Sequence, residues 1–548
     1  MKKLHQALIL IAVYVLALGI RIYWLSQKDG LHVDEGLTIA IACYNDFIIR
    51  ENYEYGKKYT GKELKEASLV SSASLKDALA DVRSLWKDNR DPPHTNLYYT
   101  FLRLSLVGLK TGDIAPIVFR GGILNLLFFT VSFIFFFLLM RLLFAGSELL
   151  QCAATLCAFL STAAISNTLF LRPYQIQEML FIIFCYYCAV SIGWKKYRVK
   201  PIALMSLITA VTLMTGYYAL IFIGLLGLYV VYLHCKNKTF TEIPYYCAVL
   251  CLGILFARIF YPKYISGFFS YRGQEAVRTI SGNIWGNIWS SITGAVTLLQ
   301  KHFFSYPVIA ACLAYLAVPL IRKQKLRGKN ISAVQKMAWY IFIASILYLF
   351  IVLIIAPYKI LRYGMPVFPF FVILPAMLIA SIEARSKKMA FVAMLLLCGC
   401  CAFNAARESN IENIFRNKPN QYVFTRDKDI PVYVINAGWS SWKYANLIPY
   451  VHDEQAYYFI DWYKYLGEYL RTGQGNAVIP LPEAEDYDTI YLLTEYIPGF
   501  QQFDDLMEDL QAAQGVMESE FEIYTGEPES WFPYFKGKKI IMGNSTMQ

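Results

Sequence analysis

Two adjacent carboxylates, Asp34 and Glu35 in the stretch Leu31-His32-Val33-Asp34-Glu35-Gly36-Leu37-Thr38, come just after the first apolar segment of a very apolar chain. A carboxylate so placed can take the proton from an attacking hydroxyl, which is general-base chemistry. Other charged sets recur at comparable places. Asp91-Pro92-Pro93-His94 puts a carboxylate and an imidazole at a rigid Pro-Pro turn. Leu171-Arg172-Pro173-Tyr174-Gln175-Ile176-Gln177-Glu178 opens an apolar segment with Pro at a helix-start position, so Arg172, Gln175 and Glu178 are expected at spacings of three on one face. Tyr358-Lys359-Ile360-Leu361-Arg362-Tyr363 opens another with two cations. Cations at such positions suit a phosphate headgroup. Ionisable groups at membrane depth are costly and are functional candidates by default, although either cation set alone also fits an interfacial anchor.

The elements that must position these residues are membrane segments. A chain of 548 residues that is 57% hydrophobic and 17% charged, with a mean hydropathy of +0.39, has the composition of a polytopic membrane protein. The first segment, about Leu4 to Leu25 behind Lys2 and Lys3, is long enough to cross a bilayer that needs roughly 20 residues and is read as a span, not a cleaved signal. Further segments read Arg120 to Phe144, Leu149 to Asn167, Pro173 to Trp194, Pro201 to Met214, Tyr217 to His234, Pro244 to Tyr261, His302 to Ile321, Lys336 to Ala356, Pro366 to Ile382 and Met389 to Phe403, which predicts about eleven transmembrane helices.

Residues 26–119 read as a long loop with two helices, Thr95 to Leu109 lying in the interface. With that stretch in the interface, the basic runs Lys195 to Arg198, Lys236 to Lys238, Arg322 to Lys329 and Arg385 to Lys388 all fall on one side. The positive-inside rule then makes that side cytoplasmic, with the amino terminus in and the carboxy-terminal domain out.

The apolar runs end near Asn404, dividing the chain into a membrane domain, 1–404, and a small extracytoplasmic α/β domain, 405–548. The second part carries 11 Lys+Arg against 22 Asp+Glu, so it is −11 and the membrane part +22 of the total +11. No basic stripe is interleaved with exposed aromatics, which argues against nucleic acid. None of the 12 Cys lies beyond residue 404, and they offer neither a disulfide framework nor metal-ligand spacing. In the tail, Pro431 to Asn436 and Asp488 to Thr494 read as strands, Glu454 to Leu470 and Phe503 to Ala513 as helices, and Glu518 to Tyr524 as a further strand.

The order of these motifs resembles the integral-membrane GT-C glycosyltransferases, in the bacterial branch with protein O-mannosyltransferases and the lipid A aminoarabinose transferase. In that family an Asp-Glu pair follows the first span, matched by Asp34-Glu35. A His-Pro-Pro-like turn precedes an interfacial helix; Asp91-Pro92-Pro93-His94 keeps the prolines and moves the His. An Arg opens the next span, as Arg120 does, and Arg172-Pro173-Tyr174 and Arg362-Tyr363-Gly364-Met365-Pro366 match later span starts. The resemblance covers residues 1–404 and implies a GT-C fold with a polyprenyl-phosphate-sugar donor and inverting transfer to an extracytoplasmic acceptor, whether glycan, lipid or protein. It makes Asp34 the general base, with Glu35 beside it in the catalytic pair orienting an acceptor or a neighbouring cation, and places Arg172, Lys359 and Arg362 on the lipid phosphate, with Asp91, His94, Arg120, Tyr174 and Tyr363 in the substrate region. A divalent metal held by Asp88 and Asp91 beside Asp34 is also within the family's range, and no other cofactor is implied. The competing class is a transporter or flippase of lipid-linked saccharide. Transporters show repeated halves with polar groups near the midplane. Here the polar residues gather at the ends of spans and no internal repeat is visible.

Overall fold

In the computed structural model, the residues described are 2–45, 53–70, 72–89, 91, 95–191, 199–267, 274, 277–279, 284–304, 308–313, 333–356, 359–414, 423–436, 447–461, 481–495, 508, 515–523 and 535–542. The chain divides into two compact units. The first comprises residues 1–26, 91–98 and 122–412, and the second residues 27–90, 99–121 and 413–548.

The first unit is a helical bundle. Among the described residues seven helices are long and apolar enough to cross a membrane: Leu4–Ser26, Ile114–Leu143, Ala219–Lys236, Phe240–Phe260, Lys336–Ile355, Met365–Glu383 and Lys387–Ala406. An eighth crossing is broken, Glu148–Leu160 and Thr162–Leu169 meeting at 55°. The break sits at Ser161, whose backbone is extended and whose hydroxyl accepts the Ala164 N–H, so one serine ends one helix and caps the next.

About eleven spans are expected from sequence, and three of the expected stretches are not among these eight. Tyr174–Ser191 is helical but carries buried Gln175, Gln177 and Glu178, Lys200–Leu213 is shorter, and most of 302–321 lies outside the described residues. The span expected to open at Arg120 begins at Ile114. Gly122 on this helix faces the first span so closely that a Cβ there would lie 2.4 Å from Leu25 Cδ2. Small residues at such crossings let helices pack where water supplies no driving force.

The second unit is built on a six-stranded sheet in the order β1-β3-β2-β4-β6-β5. Its strands are β1 (Lys58–Thr60), β2 (Val432–Asn436), β3 (Ala456–Asp461), β4 (Thr489–Glu495), β5 (Gly515–Ile523) and β6 (Phe535–Met542). β2 runs parallel to β3 and β4, while β1, β5 and β6 pair antiparallel with their neighbours. Parallel strands must be covered on both faces. Val432, Val434, Phe459 and Leu493 face one core, and Tyr433, Ile435, Tyr458 and Leu492 the other.

The helix expected at 454–470 is contradicted over its first part, where Ala-Tyr-Tyr-Phe-Ile-Asp forms β3. A strand buried on both faces is apolar throughout, so its period is not visible. The expected helix 503–513 lies almost wholly outside the described residues. β1 comes from the long loop after the first span, and helices Gly61–Ser68 and Leu75–Lys87 follow it. The stretch expected at the interface forms only the nine-residue helix Leu97–Ser105, too short to cross a bilayer. Its Arg103 is buried with Nε donating to Asp81 at 2.7 Å.

Candidate active site

The acid pair sits in the first turn of the helix Val33–Ala42. His32 caps that helix. Its Nδ1 accepts the Asp34 N–H at 3.0 Å, and Glu35 Oε2 accepts the His32 N–H at 2.6 Å. This is a reciprocal capping box with an imidazole where Ser or Thr usually stands. Glu35 Oε2 also accepts from Lys28 Nζ at 2.9 Å, both side chains being wholly buried. Lys28 donates a second bond to the Asn413 carbonyl at 2.7 Å. Burial pulls the Lys28 ammonium below the usual lysine range, and Glu35 beside it acts in the opposite sense.

Asp34 is placed differently. Its side chain keeps 20% exposure, with Oδ2 3.7 Å from His32 Nδ1, and its own carbonyl takes the Thr38 hydroxyl at 2.7 Å. The helix N-terminus favours negative charge there. The two carboxylates therefore divide the work, Glu35 holding the turn and Asp34 presenting its carboxylate. Lys28 was not visible as a partner in the sequence, although the His32-x-x-Glu35 spacing was a readable capping signal.

Arg172, Tyr174, Lys359, Arg362 and Tyr363 belong to the first unit. Arg172 is buried, and its N–H bonds the Phe170 carbonyl at 2.7 Å in a turn that precedes the helix Tyr174–Ser191. The expected spacing of three on one helix face thus holds for Gln175 and Glu178, which touch at 3.0 Å, and not for Arg172, which lies outside the helix. Tyr174 stacks on Phe170 with ring centroids 5.8 Å apart.

Arg362 and Tyr363 share the short turn Leu361–Tyr363. The Arg362 guanidinium lies over the Tyr363 ring at 5.2 Å, and Tyr363 meets Tyr218 edge-on at 5.9 Å. Asp91 is buried and interacts electrostatically with Tyr217. Thr95 donates to the Met214 carbonyl, docking this segment on the turn before Tyr217.

Two expected residues fall elsewhere. Lys359 donates to the carbonyls of Leu353 and Ala356, the latter at 3.1 Å, so its ammonium caps the end of the helix Ala333–Ile355. Arg120 is exposed in the second turn of its helix. His94 lies outside the described residues. Among the described residues no group of three His, Cys, Asp or Glu is placed to hold a metal ion.

A bundle of long apolar helices with short charged turns at their ends, joined in one chain to a mixed sheet, defines an integral membrane protein of GT-C fold. The solved structure of ArnT from Cupriavidus metallidurans bound to undecaprenyl phosphate matches 98% of this chain and 99% of its own, with a TM-score of 0.52 at 9% sequence identity. The same ArnT in the apo state matches with a TM-score of 0.47 at 11% identity, over 100% of this chain and 99% of its own. No protein-family model and no curated protein matches the chain.

Proposed function

We propose that this protein is an inverting glycosyltransferase that moves a sugar from a polyprenyl-phosphate carrier to an extracytoplasmic acceptor, with Asp34 and the carboxy-terminal domain on the extracytoplasmic side of the inner or plasma membrane. The observation that supports it most is Asp34, a part-exposed carboxylate on a rigidly capped helix end. It stands in a fold shared with an ArnT that binds undecaprenyl phosphate.

In the proposed reaction an acceptor hydroxyl attacks the anomeric carbon as the bond from that carbon to the phosphate oxygen breaks. The hydroxyl proton passes to Asp34. The carrier leaves as polyprenyl phosphate, its growing negative charge met by Arg172 and Arg362. Glu35 is a positioning residue in this scheme, fixing the turn through His32 and Lys28. Lys359 contributes by capping its helix, and Asp91, Tyr174 and Tyr363 shape the substrate region.

Arg172→Ala and Arg362→Ala are each expected to raise KM for the lipid-linked donor about tenfold or more, from the ~1.5–3 kcal/mol of a charge-assisted hydrogen bond. Donor titration in proteoliposomes checks this. A donor dependence identical to wild type would remove that arginine from the site.

A further inference from the structure

The turn that carries Arg172 is held by a buried polar chain inside the bundle. Arg21, in the first span, has no exposed surface. Its Nη1 donates to the Ala17 carbonyl at 3.0 Å, and its guanidinium lies 3.9 Å over the Phe129 ring. From its Nε a chain of hydrogen bonds runs in one direction. Arg21 Nε donates to Thr168 Oγ1 at 3.0 Å, Thr168 Oγ1 to Gln175 Oε1 at 2.8 Å, and Gln175 Nε2 to Glu178 Oε1 at 3.0 Å. Asn167 Nδ2 closes the far end on Glu178 Oε2 at 3.0 Å.

Arg21 and Glu178 are thus joined through two neutral side chains whose dipoles all point the same way, the arrangement in which buried hydrogen bonds polarise and strengthen one another. The chain begins on the first span and then reaches both sides of the Arg172 turn: Thr168 lies four residues before Arg172 and Gln175 three after it. A second clamp acts on the backbone. The helix Thr162–Leu169 ends just before the turn, which leaves carbonyls without intrahelical partners. Asn125 Nδ2 takes two of them, Thr168 O at 3.0 Å and Phe170 O at 2.9 Å. Tyr98 donates to Asn125 Oδ1 at 3.1 Å and fixes that amide.

Charge and hydrogen-bonding groups buried this deeply are expensive in a membrane unless they serve something. What they converge on here is the backbone of the Arg172 turn. We propose that the Arg21–Thr168–Gln175–Glu178 chain and the Tyr98–Asn125 clamp are positioning residues that hold the Arg172 guanidinium for the phosphate of the lipid carrier. This rests on the reading that Arg172 binds that phosphate.

The test is binding of undecaprenyl phosphate, and of undecaprenol as the same chain without phosphate, to the full-length protein in nanodiscs. Thr168→Val removes the linking hydroxyl at nearly constant shape. It is expected to weaken undecaprenyl phosphate binding about tenfold, the order of losing one hydrogen bond to a charged group, while leaving undecaprenol binding unchanged. Thr168→Ser is expected to restore the phosphate preference. A packing defect alone would weaken both lipids alike, and that outcome would overturn the proposal. If Arg172→Ala lowers phosphate binding and Thr168→Val does not, the positioning chain is refuted and the phosphate reading stands. If Arg172→Ala leaves phosphate binding unchanged, both fall. Should Thr168→Val fail to fold, Gln175→Met breaks the next link of the same chain and is read in the same way.

Discussion

Membranes carrying Asp34→Asn are expected to lose sugar transfer from lipid-linked donor by about 10²- to 10⁴-fold, the usual contribution of a general base. The substitution is nearly isosteric and spares the fold, because the helix is capped by His32 and Glu35 and not by the Asp34 side chain. Donor binding should therefore survive. This separates loss of the proton acceptor from loss of the site: KM for the donor stays near wild type while kcat falls. Transfer close to wild type in a correctly inserted Asp34→Asn protein would end the base assignment.

The second large effect concerns stability. Lys28 and Glu35 form an ion pair with no exposed surface, and Lys28 also holds the Asn413 carbonyl. Breaking such a pair by removing one partner leaves a buried uncompensated charge, which typically costs about 3–5 kcal/mol. Lys28→Met is therefore expected to lower the unfolding midpoint in detergent sharply and to reduce the amount of folded protein. The double variant Lys28→Met/Glu35→Gln removes both charges and keeps an acceptor for the His32 N–H, so it should recover much of that loss. A double variant no better than Lys28→Met would show that the contact with Asn413, and not the buried charge, sets the stability. Because Glu35 is spent on this pair and on the cap, its removal should depress activity in step with stability, whereas Asp34→Asn should depress activity alone.

Much of the bundle was legible in sequence because a membrane span is a long uniform signal: the first span and the late spans from Lys336 onward lie within a few residues of where hydropathy places them. What failed was what depends on tertiary context. Arg172 reads as the start of a helix because Pro173 suits the first turn, yet the helix opens at Tyr174, and clamping of the Phe170 carbonyl by Asn125 is invisible in a linear reading. Tyr457 to Ile460 read as helix because a strand buried on both faces shows no alternation. The pairing of β1 from the early loop with β3 joins residues about 400 positions apart, which no local pattern announces. Asp34 and Glu35 were visible as a pair, but their division of labour was not. It depends on Lys28, whose link to Glu35 needs the loop to fold back on itself.

Binding of a polyprenyl phosphate through Arg172 is tested most directly by mass spectrometry of lipid co-purifying with the protein from native membranes in mild detergent. A polyprenyl phosphate, with or without its sugar, should accompany the wild type and Asp34→Asn and be depleted in Arg172→Ala. Recovery of bulk phospholipid only, or of polyprenyl phosphate in equal amount from Arg172→Ala, would show that Arg172 does not hold the carrier.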